Sequence, residues 1–420
     1  MLQFIIYDVL GTPAILVGLF SLAGLLLQKK SVSDVISGTL KTIMGFVILT
    51  AGAGIVAYTL TIFSQLFEHS FHIQGVVPNT DAMAALAQKN YGTATAMIMV
   101  LGMLFNIVLA RFTPLKYIFL TGHHTLYMAA MLAVILSVGG LSGFLVVAIG
   151  ALILGAMMVI SPAILQPFTR KITHTDDLAL GHFGSTGYLV SALVGKVVGK
   201  GSPSIEEIKV PQSLNFLRDS LVSISLIMMI LFLVLVSVAG KPFVETTLSS
   251  GQNYIIFAII QSLTFAAGVY IILAGVRMVI AEIVPAFKGI ADKLVKDAKP
   301  ALDCPTVFPF APNAVIVGFL SSFVAGLVSM FLCPLFGLSV IVPGLAPHFF
   351  CGATAGVYGN ITGGRRGAVI GAFAHGLLIS FLPAILLPMM GDMGLDATTF
   401  GDADFGVVGI ILGHIMAIFN

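Results

Sequence analysis

Apolar residues run through this 420-residue chain in long blocks rather than in alternation. Blocks near the ~20 residues that cross a ~30 Å hydrocarbon layer fall at 9–28, 42–66, 93–110, 117–138, 141–163, 220–240, 252–283, 313–333, 335–358, 367–391 and 405–419. The pattern predicts an all-α polytopic membrane protein of about 11 transmembrane helices. The ninth block is interrupted by Pro and Gly, and the last is short.

The polar residues between blocks set the orientation. Arg170, Lys171, Lys196, Lys200, Lys209 and Arg218 crowd the connection 164–218, and Lys288, Lys293, Lys296 and Lys299 the connection 284–300. Lys29, Lys30 and Lys41, Arg111 and Lys116, and Arg365 and Arg366 fall on the same side if the N-terminus is outside. The opposite loops carry only Lys89 and Lys241, and 392–404 is purely acidic, with Asp392, Asp396, Asp402 and Asp404. Basic residues favour the cytoplasmic side, so the N-terminus is expected outside and the C-terminus inside.

A repeat underlies the blocks. "SGTLKTIMGF" (37–46) resembles "LAGVRMVIAEI" (273–283), "GTATAMIMVLGMLFNIV" (92–108) resembles "APNAVIVGFLSSFVAGL" (311–327), and "FLTGHHTLYMA" resembles "VIVPGLAPHFFCGATAG" (340–356). An offset of five spans is odd, so two five-helix halves are expected upside down relative to each other, with one span added at the end. Inverted repeats with broken helices place solute near the midplane in carriers.

Composition agrees. The chain is 58% hydrophobic and 9% charged, where soluble domains carry about 25% charged residues. Net charge is +2 and no basic stripe appears, so no nucleic-acid partner is expected. Cys304, Cys333 and Cys351 lack metal or redox spacing, and 1–28 lacks the basic start and A-x-A site of a cleaved signal. No nucleophile constellation, H-E-x-x-H or G-x-S-x-G is present; the chain is expected to be no enzyme, with no cofactor and no metal.

Ionisable residues inside a membrane are candidate functional groups. His123 follows Gly122 at the "TGHH" interruption; its ring can donate and accept for a polyhydroxylated or anionic solute, or be satisfied by a nearby carbonyl. His124 is expected to point the other way. Tyr127 lies one turn beyond His123 on its face. "LALGHFGSTGYLVSALVG" (178–195) reads as a re-entrant hairpin with His182 and Phe183 near its tip, the alternative being an amphipathic surface hairpin. Asp303 sits in "PALDCPTVFPFAPNA", where four prolines forbid regular helix; it can accept two hydroxyls, cap a helix, or pair with a nearby lysine. Asn79, Thr80 and Asp81 hold the matching place before the third span. Thr354 belongs to the small-residue run "FFCGATAGVYGNITGGRR". Arg277 and Glu282 are read as structural, His375 as a packed helix residue, and His69, His72 and His174 as loop residues.

"LKTIMGF", "LTGHH", "LGHF", "LDCPTVFPFAPNAV" and "PGLAPHFFCGATAGVYGN" resemble the membrane subunit, component IIC, of the ascorbate-type (L-ascorbate) bacterial phosphotransferase system over nearly the whole chain. The resemblance implies a homodimer in the inner membrane. Each protomer would have a V-shaped scaffold (spans one, two, six and seven) and a core that moves against it as an elevator. The expected division is 1–67 scaffold, 68–215 core with re-entrant hairpin, 216–299 scaffold with an amphipathic arm, and 300–420 core with the last helix. The resemblance further implies transport of L-ascorbate or a related sugar acid, phosphorylated by a separate IIB protein fed by IIA. It assigns binding to His123, Tyr127, Thr80, Asp81, His182, Phe183 and Asp303, and Thr354 of the small-residue run is expected to join them. Ascorbate carriers have glutamine where this chain has Tyr127 and Phe183, and some have Thr-Tyr where it has Thr80 and Asp81. An ion-coupled transporter of a small organic anion or pentitol-like sugar is the alternative. A metal enzyme built on His123, His124 and Asp303 is a remote third.

Overall fold

The computed structural model describes residues 9, 12–71, 75–208, 220–390 and 398–419. Lys209, Arg218, His72, Asp392 and Asp396 lie outside them. The chain is a multi-pass, mainly helical membrane protein.

The helices are α1 (Pro13–Leu27), α2 (Val32–Phe71), α3 (Thr80–Phe112), α4 (Gly122–Val138), α5 (Phe144–Thr173), α6 (Ser185–Val198), α7 (Ser220–Ala239), α8 (Lys241–Phe243), α9 (Tyr254–Lys293), α10 (Pro312–Leu335), α11 (Leu345–Pro347), α12 (Ala353–Arg366), α13 (Ala372–Leu386) and α14 (Ala403–Phe419). Among the described residues, six helical stretches are long and apolar enough to cross a membrane, or seven if α7 and the segment bent 105° from it count as one span. Four shorter apolar helices, α1, α4, α6 and α14, complete the set.

α2 and α9 are each 40 residues long, about 60 Å at 1.5 Å per residue, and pack along each other. Between lipid tails, helices associate by close backbone approach. A Cβ on Gly52 of α2 would stand 2.6 Å from the Ile272 amide of α9. Glu282 of α9 pairs with Lys41 of α2 at 3.6 Å. α1 and α7 pack against this pair. The remaining long helices form a second group, in which α3 packs on α4 and α5, and α12 on α6 and α10.

The breaks fall where the sequence weakens the helix. α3 leaves helical geometry at Tyr91, close to the expected start of the third span. The 46-residue apolar stretch Leu345–Met390 breaks at Gly363 and Gly364, the latter at φ +53°, a conformation suited to glycine. α12 there folds back, so that Gly359 faces Gly367. His69, expected in a loop, sits in the last turn of α2 with its ring stacked on Phe243.

The all-α expectation left out one small element. β1 (Tyr117–Phe119), β2 (Ala179–Leu180) and β3 (Lys299–Leu302) form a parallel sheet in the order β1-β3-β2. Tyr117 pairs with Lys299, and Leu180 with Leu302. Lys299 also pairs with Asp176 in the loop before β2. Burial would raise the Asp176 carboxyl, but hydrogen bonds from Lys299 and Gln166 and the lysine charge hold it below the usual value. A separate cavity of about 280 Å³ opens between α7, α9 and the turn before α10, lined by Leu221, Tyr270, Arg277 and Pro309 among others.

Candidate functional site

All three strands point the same way, and the expected site residues stand just beyond their C-terminal ends. β1 leads through Thr121 to His123, β2 through Gly181 to His182, and β3 directly into Asp303. Leu120 N–H donates to the Ala301 carbonyl at 2.9 Å and Gly181 N–H to the Leu302 carbonyl at 2.7 Å, carrying the register into the site. The Thr121 hydroxyl donates to the Gly181 carbonyl at 2.5 Å, joining the two histidine loops. Only glycine fits at 181, since a Cβ would lie 2.6 Å from the Ala301 oxygen.

Asp303 stands between two imidazoles. Its Oδ2 is 3.5 Å from His123 Nε2, and its Oδ1 is 3.7 Å from His182 Nε2. Oδ1 also accepts the Cys304 amide at 2.6 Å, which caps the turn Cys304–Phe310 and fixes the carboxylate. The cap reading of Asp303 therefore holds, and the side chains beside its carboxylate are histidines where a lysine was the expected partner. Separations of 3.5–3.7 Å exceed a direct hydrogen bond and suit a bridging hydroxyl or water. The His123 side chain is 33% exposed, whereas that of His182 is 4% exposed. The His182 Nδ1 is engaged by the Tyr188 hydroxyl at 2.9 Å.

Behind this row lies a second polar layer. His124 is buried, with Nδ1 3.9 Å from Asp402 Oδ2 and its ring 3.9 Å from that of His182; its ring also lies 4.8 Å from that of His123, so it does not take the expected opposite direction. The Cys351 thiol donates to Asp402 Oδ1 at 3.1 Å. The acidic segment 392–404 was expected to be an outer loop, but Asp402 and Asp404 are buried. Asp404 accepts the Ser185 and Thr186 amides of the hairpin. The hint lay in "ADFG" (403–406), which shares its pattern with "GHFG" (181–184).

The other expected residues divide. The Tyr127 ring lies 5.7 Å from that of His123, on the same face. Phe183 is fully buried, stacked on Phe119 at 4.8 Å with Phe405 edge-on at 6.0 Å. The hairpin tip is thus buried rather than amphipathic surface. Thr354 is buried, and its hydroxyl donates to the Phe350 carbonyl in the turn just before α12. Thr80 accepts the Gly401 amide at 3.1 Å and so reaches the Asp402 segment rather than His123 directly. The Asp81 side chain lies outside the described residues.

Among the described residues, three overlapping triads have metal-ligand spacing: His123, His124 and Asp303; His124, His182 and Asp402; and His182, Asp303 and Cys304, with ligand atoms within 4.8 Å. They share members, so they constitute one connected polar network rather than three independent sites.

The model for EIIC-GAT, described as the sugar-specific permease component of the PTS system, matches residues 8–404. Over 422 residues the chain is 27% identical to the ascorbate-specific PTS system EIIC component of Mycoplasma pneumoniae, a match covering 86% of this chain and 63% of that relative. The chain therefore spans less than two thirds of the relative's length. With the match reaching from before α1 into the start of α14, this chain belongs to the EIIC-GAT family of sugar-specific phosphotransferase-system permease components.

Proposed function

We propose that this chain is a IIC carrier that moves L-ascorbate, or a related sugar acid, across the inner membrane to a separate IIB protein. IIB, charged by IIA, performs the phosphoryl transfer, so the carrier needs no reactive group of its own. The observation that carries this reading is the placement of Asp303 between His123 and His182 at the C-terminal end of the parallel sheet. A carboxylate flanked by imidazoles can accept two hydroxyls and offer ring N–H donors to an anionic enediol or carboxylate. His123, Asp303 and Tyr127 form the open wall of the site. Phe183 supports it from behind, and Thr80 and Thr354 contribute from its margins.

The proposed topology is an inverted repeat in which α2 matches α9, α3 matches α10, α4 matches α12 and α6 matches α14. The equal 40-residue lengths of α2 and α9 and the "GHFG"–"ADFG" pair support it. Eleven crossings, with the N-terminus outside and the C-terminus inside, remain the reading of the charge pattern. The mutual packing of α1, α2, α7 and α9 supports a scaffold against which the second group slides, and a homodimer built through that scaffold.

Uptake into vesicles supplied with purified IIA, IIB and the general phosphotransferase proteins tests the reading. Phosphorylated ascorbate should accumulate inside. Accumulation of unmodified solute driven by an ion gradient would instead favour a secondary carrier.

A further inference from the structure

α6 begins directly after the His182–Phe183 tip, and its first amides need acceptors. Its N-cap residue is Gly184, which has no side chain to offer. The usual caps are Ser, Thr, Asp or Asn, yet none fits here. A Cβ at 184 would stand 2.5 Å from the Tyr188 hydroxyl and 3.0 Å from His182 Nδ1. The space is filled by the hydrogen bond between those two groups, 2.9 Å long, which orients the His182 ring. Orienting the histidine thus excludes a cap from within the hairpin.

The acceptor comes instead from the far end of the chain. Asp404 Oδ2 accepts the Ser185 amide at 3.0 Å, and Oδ1 accepts the Thr186 amide at 2.7 Å. The Asp404 amide donates to the Phe183 carbonyl at 3.0 Å. The residue is fully buried, and a carboxylate at a helix N-terminus also meets the positive end of the helix dipole. Next to it, Phe405 lies edge-on to Phe183 and parallel to His124. One residue of the last helix therefore holds both backbone arms of the hairpin tip.

We infer that Asp404 is a positioning residue for the solute site: by capping α6 from α14 it fixes His182 opposite His123 and Asp303. This rests on the reading of His182 as part of the solute site. It also gives the last helix a role in binding.

The test uses the full-length carrier and three variants, Asp404→Ala, Asp404→Asn and, as a control, Asn253→Ala. Asn253 caps α9 by the same chemistry, accepting the Ile255 and Ile256 amides, but away from the site. Amide hydrogen exchange at Ser185 and Thr186 is read alongside the equilibrium Kd for L-ascorbate and thermal stability. Loss of a cap is expected to speed exchange at the two amides about tenfold in Asp404→Ala and to raise Kd by a similar factor. Asp404→Asn, which keeps the shape and one acceptor, should shift both in the same direction by less, and carries the test if the alanine variant does not fold. Asn253→Ala should lower stability with Kd unchanged. Unchanged exchange at 185 and 186 in Asp404→Asn, or an equal rise of Kd in Asn253→Ala, overturns the inference. If the unaltered carrier binds no ascorbate, the substrate assignment fails, and the exchange measurement still decides whether Asp404 holds the hairpin.

Discussion

His123 Nε2 lies 3.5 Å from Asp303 Oδ2, although the two residues belong to opposite halves of the chain. The contact is possible because β3 pairs with β1 in parallel, so both strands deliver their next residues to one place. The same strand delivers Asp303 to His182 through β2. A sheet of three very short strands thereby assembles a polar centre from three distant stretches of an apolar chain.

Removing either partner should uncouple binding from folding. Asp303→Asn and His123→Ala are each expected to raise the ascorbate Kd about 100-fold, consistent with the loss of one or two charge-assisted hydrogen bonds. Gel-filtration profile and melting temperature should change little for His123→Ala, whose side chain is partly exposed. Calorimetric titration checks this, and normal affinity in both variants would remove the site.

Tyr127 and Phe183 stand where the resemblance to ascorbate carriers leads one to expect glutamine, yet they should behave differently. Tyr127 lines the His123 face, so Tyr127→Gln is expected to shift preference toward ascorbate over other sugar acids in a competition assay. Phe183 is sealed between Phe119 and Phe405. Phe183→Gln should instead destabilise the fold by about 3 kcal/mol, as expected for losing a buried aromatic, measured by thermal unfolding in detergent.

The strand register depends on a missing side chain. In Gly181→Ala the new methyl would crowd the Ala301 oxygen, pushing β2 off β3. Transport should fall at least tenfold while the packing of α2 on α9, which runs along both 40-residue helices, persists. An uptake assay beside a disulfide cross-link between α2 and α9 separates the two effects.

A loop carboxylate gives a pH signature. Glu206 accepts the Asn313 and Ala314 amides at the start of α10, and burial raises its carboxyl above the usual 4.5 despite those bonds. The native state then binds more proton than the unfolded chain in the window above 4.5. The stability contributed by the protonated form is complete below that value and is lost as pH rises through the native one. Relative to Glu206→Gln, the unaltered protein should lose melting temperature over that window and then run parallel. Profiles that stay parallel throughout would contradict the assignment.

How much was legible followed from contrast. His123, His182 and Asp303 stand out because hydrophilic groups beside Gly and Pro interrupt apolar blocks, and interruptions at membrane depth occur only inside protein. The sheet that joins them was hidden, since strands of two to four residues are too short to show a period of two. Asp402 and Asp404 were read as solvated because acidic runs usually are. Their burial depends on amides and a thiol contributed by residues far away in sequence. Phe183 was assigned to the solute by the resemblance; its ring packs against Phe119 and Phe405, an aromatic layer that the sequence did not reveal.

The central claim is that one solute is cradled by His123, His182 and Asp303. A cryo-EM map of the carrier with saturating L-ascorbate tests it most directly. The account predicts density bridging the Asp303 carboxylate and the His123 ring; density confined to the cavity lined by Tyr270 and Arg277, with the histidine centre unaltered, would contradict it.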